Sequence, residues 1–278
     1  MPADSPKGRF GRFGGRFVAE ALWGPLEDVA TAFEEAVADD AFLGEFEDLL
    51  DHRVGRPTPV TELTALSDDI GGGRLLLKRE DLCFGGSFTA NLAVAYGLLA
   101  RRMEREWLIA ETATGDYGVA LAAVGAALGL RVRLFVGRED RESEELNMRR
   151  IEQFGAVTET VDTNTRGRKA ACAEAMRFWA THSDSCLYAP SLLAMPDPYP
   201  RLIQYFLSVI GAETKVQLER RGRRPEYMVA PVGSGAFAVG FLEESGADEE
   251  VQLVGVQAGG EGQAKKHAAS LTYGRPGV

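Results

Sequence analysis

The residues whose types and spacing best suit chemistry fall in three short turns. KREDLCFGGSFTAN (78–91) sets Gly85, Gly86 and Ser87 immediately before a helical segment. AETATGDYG (110–118) ends an apolar run on Glu111 and opens a helix near Asp116, and PVGSGAFAVG (231–240) again reads strand, Gly-rich turn, helix. Glycines let the backbone approach a ligand, and a helix N-terminus turns free N–H groups toward an anion. One such turn says little, because Gly-rich turns are common in α/β proteins. Three at corresponding strand ends point to a binding cleft. Asp116 also suits a plain helix N-cap ahead of YGVALAAV. Cys83 has no histidine beside it and reads as a small buried apolar residue rather than a nucleophile.

These turns need parallel strands to hold them. Short apolar runs past residue 70 read as buried strands at 74–78, 107–111, 131–137, 156–161, 226–233 and 251–258. Helical spacing covers 88–103, 115–130, 142–155 and 168 to about 182. The alternation predicts right-handed βαβ crossovers: an α/β fold of parallel twisted sheets with flanking helices. The first 70 residues differ. GRFGRFGGRFVAEALWGPL has the composition of an RNA-binding RGG segment, but it is not repeated and runs into an amphipathic helix, PLEDVATAFEEAVADD. RPTP (56–59) and GGG (71–73) mark loops.

Composition narrows the class. A length of 278 residues suits one large or two modest domains. The net charge of −10 argues against nucleic acid as partner, since phosphate neutralisation needs clustered Lys and Arg. Only six of the 31 basic residues are lysines. Cys83, Cys172 and Cys186 are too scattered for a disulfide framework, and with three histidines no metal site is expected. There is no signal-peptide core and no unbroken apolar run of membrane length. The expectation is a reduced, cytoplasmic protein with no membrane contact.

The stretches GRFGGRFVAEALWGPL, GRPTPV, LLLKREDL, AETATGDYGVA, LFVGREDRESEELNMRRIEQFGAV, PDPYPRLIQYFLSVIG, PVGSGAFAVG, GVQAGG and HAASLTYGRPGV run in order along nearly the whole chain. In them the sequence resembles the β subunit of tryptophan synthase, a fold-type II pyridoxal-phosphate enzyme. The resemblance implies two α/β domains with the active site between them. The N-terminal domain would take 1–54 and 88–205, with a mobile subdomain at about 104–191. The second would take 55–87 and 206–278, and is expected to be incomplete, because the chain stops within the family's LT-x-GRPGV stretch.

The departures from that family shape the functional expectation. The family's Schiff-base lysine corresponds to Thr89, which cannot form an imine, and Phe88 stands where the family has a residue stacking on the cofactor. The phosphate turn reads Gly233-Ser234-Gly235-Ala236-Phe237, with Phe237 expected to fill the phosphate cavity. The substrate-carboxylate loop reads Thr112 to Gly118. On these grounds no cofactor is expected, pyridoxal phosphate included. Glu111 is retained at the family's acid/base position, and with Asp116 it forms a candidate carboxylate pair whose pKa values would be driven apart. Glu111 also has a plain reading, as a polar strand-end residue kept for packing or a hydrogen bond. Tyr117 either donates to a developing oxyanion or fills space. The catalytic candidates are therefore Glu111, Asp116 and Tyr117. Ser87, Phe88, Thr89, Asn91, Thr112, Thr114, Gly115, Gly233, Ser234 and Gly235 are the candidate substrate-binding residues.

Two functions follow as expectations. One is a repurposed, cofactor-independent acid/base enzyme of lyase, cyclase or carbon–carbon bond-forming type, acting on a small, indole-like or aromatic substrate in specialised metabolism. The other is a non-catalytic subunit that forms a homodimer or a heteromer with another synthase-like chain. A small-molecule sensor using the same cleft is a third.

Overall fold

The structure is a computed structural model that describes residues 8–11, 13–162, 167–246 and 248–257. The matched stretch HAASLTYGRPGV and the end of GVQAGG lie outside these residues. Strands β1 (Arg9–Phe10) and β2 (Phe13–Gly14) form a short antiparallel hairpin, followed by helices α1 (Trp23–Val37) and α2 (Asp40–Leu49). β3 (Val60–Glu62) and β4 (Leu76–Lys78) pair antiparallel around α3 (Thr64–Ile70). The chain continues through α4 (Thr89–Arg102), β5 (Trp107–Thr112), α5 (Asp116–Leu128), β6 (Arg131–Gly137), α6 (Arg138–Ser143), α7 (Glu145–Gln153) and β7 (Val157–Val161). It ends with α8 (Arg168–His182), β8 (Cys186–Tyr188), α9 (Tyr199–Leu207), α10 (Val209–Glu219), β9 (Tyr227–Pro231), α11 (Ala236–Leu242) and β10 (Gln252–Val256).

The largest sheet has strand order β7-β6-β5-β8, all parallel. β9 and β10 form a second, two-stranded parallel sheet. Successive residues Leu108 to Thr112 of β5 are buried whichever face they point to, so helices cover both faces, as a parallel sheet requires. α5 packs onto β5 and β6, and α8 packs across all four strands. α4 is buried along its length from Thr89 to Ala100 and forms the centre of the molecule.

The expected α/β fold with parallel sheets is present. The predicted helix at 142–155 is two helices, because the backbone at Glu144 leaves helical geometry. β8 has no counterpart among the predicted strands. Its three residues, Cys-Leu-Tyr, are too short a run to read as a strand, and they become one by pairing with β5 from Trp107 to Ile109. No helix among the described residues is long and apolar enough to cross a membrane.

Candidate functional site

The end of β5 is where the sequence, the sheet and the helices meet. Glu111 is fully buried there. The Tyr188 hydroxyl, from the end of β8, donates to Glu111 Oε2 at 2.7 Å. Arg168 opens α8 and brings Nη2 to 4.0 Å from Glu111 Oε1, while the same nitrogen donates to Ser191 Oγ at 3.1 Å. Glu111 Oε1 itself has no hydrogen-bond partner among the described residues. Burial raises the Glu111 carboxyl above its usual range; the Arg168 charge and the Tyr188 hydrogen bond oppose that rise.

A wall of tyrosines surrounds this carboxylate. Tyr117 donates to the Ala189 carbonyl at 2.6 Å, Tyr96 to Pro190 at 2.9 Å and Tyr199 to Tyr188 at 2.8 Å. Tyr117 is therefore engaged in closing the interior around residues 188–190. Cys172 Sγ lies 3.5 Å from the Tyr188 hydroxyl, and burial pushes its thiol up to about 12.

The structure separates the two carboxylates that the sequence grouped. Asp116 is exposed and receives a hydrogen bond from Asn147 Nδ2 at 3.4 Å, whereas Glu111 faces the interior. Asp116 is also not the N-cap of α5. Gly115 takes that position at φ 82°, and Asp116 is the first helical residue, where its charge suits the helix dipole. The left-handed turn requires glycine at 115, and α7 clamps it: Asn147 Nδ2 donates to the Thr114 carbonyl at 2.8 Å. Thr112 is buried beside Glu111 in sequence, and Thr114 is half-buried.

The turn at 85–89 is held from below. Thr89 Oγ1 and Ser87 Oγ lie 2.9 Å apart, sharing one hydroxyl proton. Asn91 Nδ2 donates to the Phe88 carbonyl at 2.7 Å, and its Oδ1 accepts from Arg56 Nη1 at 3.1 Å. Arg56 is buried with both Glu80 and Glu213, and Lys78 Nζ also donates to Glu213 at 2.7 Å. This ionic cluster positions the start of α4. Cys83 sits against it, and burial beside Glu80 pushes its thiol up to about 12.

The third turn supplies backbone donors. Gly235 is left-handed at φ 86° and precedes α11. The Ser234 carbonyl accepts from Leu193 N at 3.3 Å. Among the described residues, the N–H groups of 233–236 donate to no backbone carbonyl. Phe237 turns its ring onto Phe88, with centroids 5.2 Å apart edge to face, and stacks on Phe241. The two turns, one near Thr89 and one near Ser234, are thus joined by an aromatic contact.

Two residues central to this site escaped the sequence reading, Tyr188 and Arg168. Tyr188 lies on the unrecognised strand β8. Arg168 belongs to a recognised helix, but nothing in its spacing announces that its side chain reaches Glu111, 57 residues earlier.

The family model described as pyridoxal-phosphate dependent enzyme matches residues 52–277. The tryptophan synthase beta chain of Stenotrophomonas maltophilia (strain R551-3) is 42% identical over 274 residues, 98% of this chain and 68% of the relative. That of Xanthomonas oryzae pv. oryzae (strain MAFF 311018) is 42% identical over 273 residues, 98% of this chain and 67% of the relative. Among solved structures, a pyridoxal 5'-phosphate-dependent aspartate racemase aligns with a TM-score of 0.58 and 21% identity, over 77% of this chain and 62% of that one. Apo diaminopropionate ammonia lyase of Escherichia coli aligns with a TM-score of 0.60 and 18% identity, over 87% of this chain and 66% of that one. These two show the fold alone. The chain spans about two thirds of the curated relatives and less than two thirds of the two solved chains.

These matches overturn the expectation of a chain without a cofactor. The family that matches 52–277 is defined by pyridoxal phosphate, and the matched region includes all three turns. The physical reason the side-chain reading misled is that it weighed substitutions at 89, 236 and 237, whereas a phosphate is held largely by backbone N–H groups. Those groups are present at 233–236. Thr89, in contrast, offers a hydroxyl and no amine.

Proposed function

Because the chain belongs to the pyridoxal-phosphate dependent enzyme family and is tryptophan synthase β-like, we propose that it is an acid/base enzyme of that family which holds its cofactor without a lysine imine. The N–H groups of Gly233, Ser234 and Gly235 would hold the phosphate, with Phe88 and the Ser87–Thr89 hydroxyl pair beside the ring. When bound, pyridoxal phosphate would supply an electron sink to a co-substrate bearing a primary amine, the group its aldehyde can take up. Glu111 takes and returns a substrate proton at Oε1, Tyr188 fixes the carboxylate through Oε2, and the tyrosine wall excludes water. The substrate proposed is small and aromatic, of indole type.

The observation that supports this reading is the Glu111 carboxylate: fully buried, oriented through one oxygen and with the other free of hydrogen bonds. General acid/base groups of this kind contribute about 10²–10⁴-fold. The test uses indole as probe in D₂O, with pyridoxal phosphate present, and follows loss of its ring C3 proton by NMR. Wild-type protein is expected to accelerate exchange, and Glu111→Gln to lose at least about 10²-fold of it. Unaccelerated exchange by wild type would remove the proposal. The cofactor part has its own test. Thr89→Lys is expected to yield a borohydride-trapped chromophore that wild type, loaded with the same cofactor, does not.

A second reading, a subunit that pairs with another chain, is favoured by the apolar face of the β9–β10 sheet. Tyr227, Val229, Val254 and Val256 are all exposed there, and such a patch marks an association surface. Light scattering tests it: a mass at the single-chain value of 30.1 kDa, with no added partner raising it, would exclude this role.

A further inference from the structure

We propose that Arg168 is the positioning residue for Glu111: its guanidinium supplies the counter-charge that lets the buried carboxylate stay ionised, with Oε1 left free to take a proton. This inference rests on the acid/base role proposed for Glu111. Three geometric facts carry it. Arg168 Nη2 is 4.0 Å from Oε1, close enough for direct attraction between a part-buried guanidinium and a buried carboxylate but beyond hydrogen-bond length, so the oxygen's lone pairs stay available. The guanidinium is held in that place by Ser191 Oγ, not by Glu111 itself. Arg168 Nε and Glu111 Oε1 are both buried without a hydrogen-bond partner among the described residues. The two groups face each other without consuming each other's hydrogen-bonding capacity.

The other groups around Glu111 do not supply this charge. Tyr188 from β8 donates to Oε2 and is neutral; Cys172, one turn along α8 from Arg168, contacts Tyr188. Tyr96 from α4, Tyr117 from α5 and Tyr199 from α9 spend their hydroxyls on backbone carbonyls. All three are neutral, and burial pushes each hydroxyl further toward the protonated form. Arg168 is therefore the cation that faces Glu111 among the described residues.

The measurement is a pH titration of the Glu111 side-chain carbon by NMR on ¹³C-glutamate-labelled protein, assigned through Glu111→Gln. Arg168→Met is expected to raise the midpoint by at least about one pH unit, a tenfold gain in proton affinity. Arg168→Lys keeps the charge and should retain most of the wild-type value. Ser191→Ala, which frees the guanidinium, should shift the midpoint in the same direction by less. A midpoint unmoved in Arg168→Met, with the fold intact by circular dichroism, overturns the inference. If Arg168→Met fails to fold, an unmoved midpoint in Ser191→Ala overturns it instead. The titration is independent of turnover. A shifted midpoint with Glu111→Gln fully active would sink the acid/base role alone, and an unmoved midpoint with Glu111→Gln inactive would sink only the role of Arg168.

Discussion

Glu111 shows how a single residue acquires its chemistry from its surroundings. As an isolated side chain it would be an ordinary exposed acid; at the end of β5 burial holds its proton more tightly than the unfolded chain does. Its contribution to stability is therefore fully present below the unfolded value and is lost as pH rises through the folded one. Glu111→Gln removes this dependence. Its Tm relative to wild type is expected to rise more at about pH 8 than at about pH 4, in the range that brackets an ordinary carboxyl. A difference that does not change with pH would show that the buried carboxylate carries no penalty.

At the scale of elements, the turn between β5 and α5 decides where Glu111 and Asp116 point. Gly115 is left-handed, and a methyl group added there would lie 2.4 Å from Asn147 Cβ. Gly115→Ala is expected to cost roughly 1–3 kcal/mol through backbone strain and this clash, measured by urea denaturation. A loss under a few tenths would mean that α7 can move away from the turn. The same turn explains why the carboxylate pair read from the sequence does not form: residues five apart across a strand-to-helix turn need not share a face. Glu111, next to last in the strand, points inward, and Asp116 starts the helix pointing to solvent.

The whole molecule is tied together by one buried ionic cluster. Arg56 hydrogen-bonds Glu80 at 3.0 Å and Glu213 at 2.7 Å across 157 positions of sequence, and through Asn91 it reaches the turn before α4. Arg56→Leu strands the buried Glu80 carboxylate without its ion-pair partner, while Glu213 keeps Lys78, and is expected to cost about 3–5 kcal/mol, read from denaturant midpoints. Burial raises the Glu80 carboxyl, but hydrogen bonds from Arg56 and Thr58, with the Arg56 charge, bring it net below its usual range. The stability it contributes is present above the unfolded value and is lost as pH falls through the folded one. Acid unfolding should accordingly be less steep in Glu80→Gln. An identical acid profile would place the acid-labile group elsewhere.

The alternation of short apolar runs with helical spacing determined the α/β class, the parallel strands β5, β6, β7, β9 and β10, and the three turns, because periodicity and glycine placement are local properties. The motif stretches likewise fixed the family. Tertiary structure alone decided which side chains meet. Tyr188 and Arg168 reach Glu111 from segments 77 and 57 residues away, and β8 exists as a strand only because β5 offers it a partner. Backbone donors at 233–236 are invisible in a reading of side-chain types, which is why the cofactor expectation went astray. Contact, burial and charge at the site are products of packing between distant segments, and no local pattern encodes them.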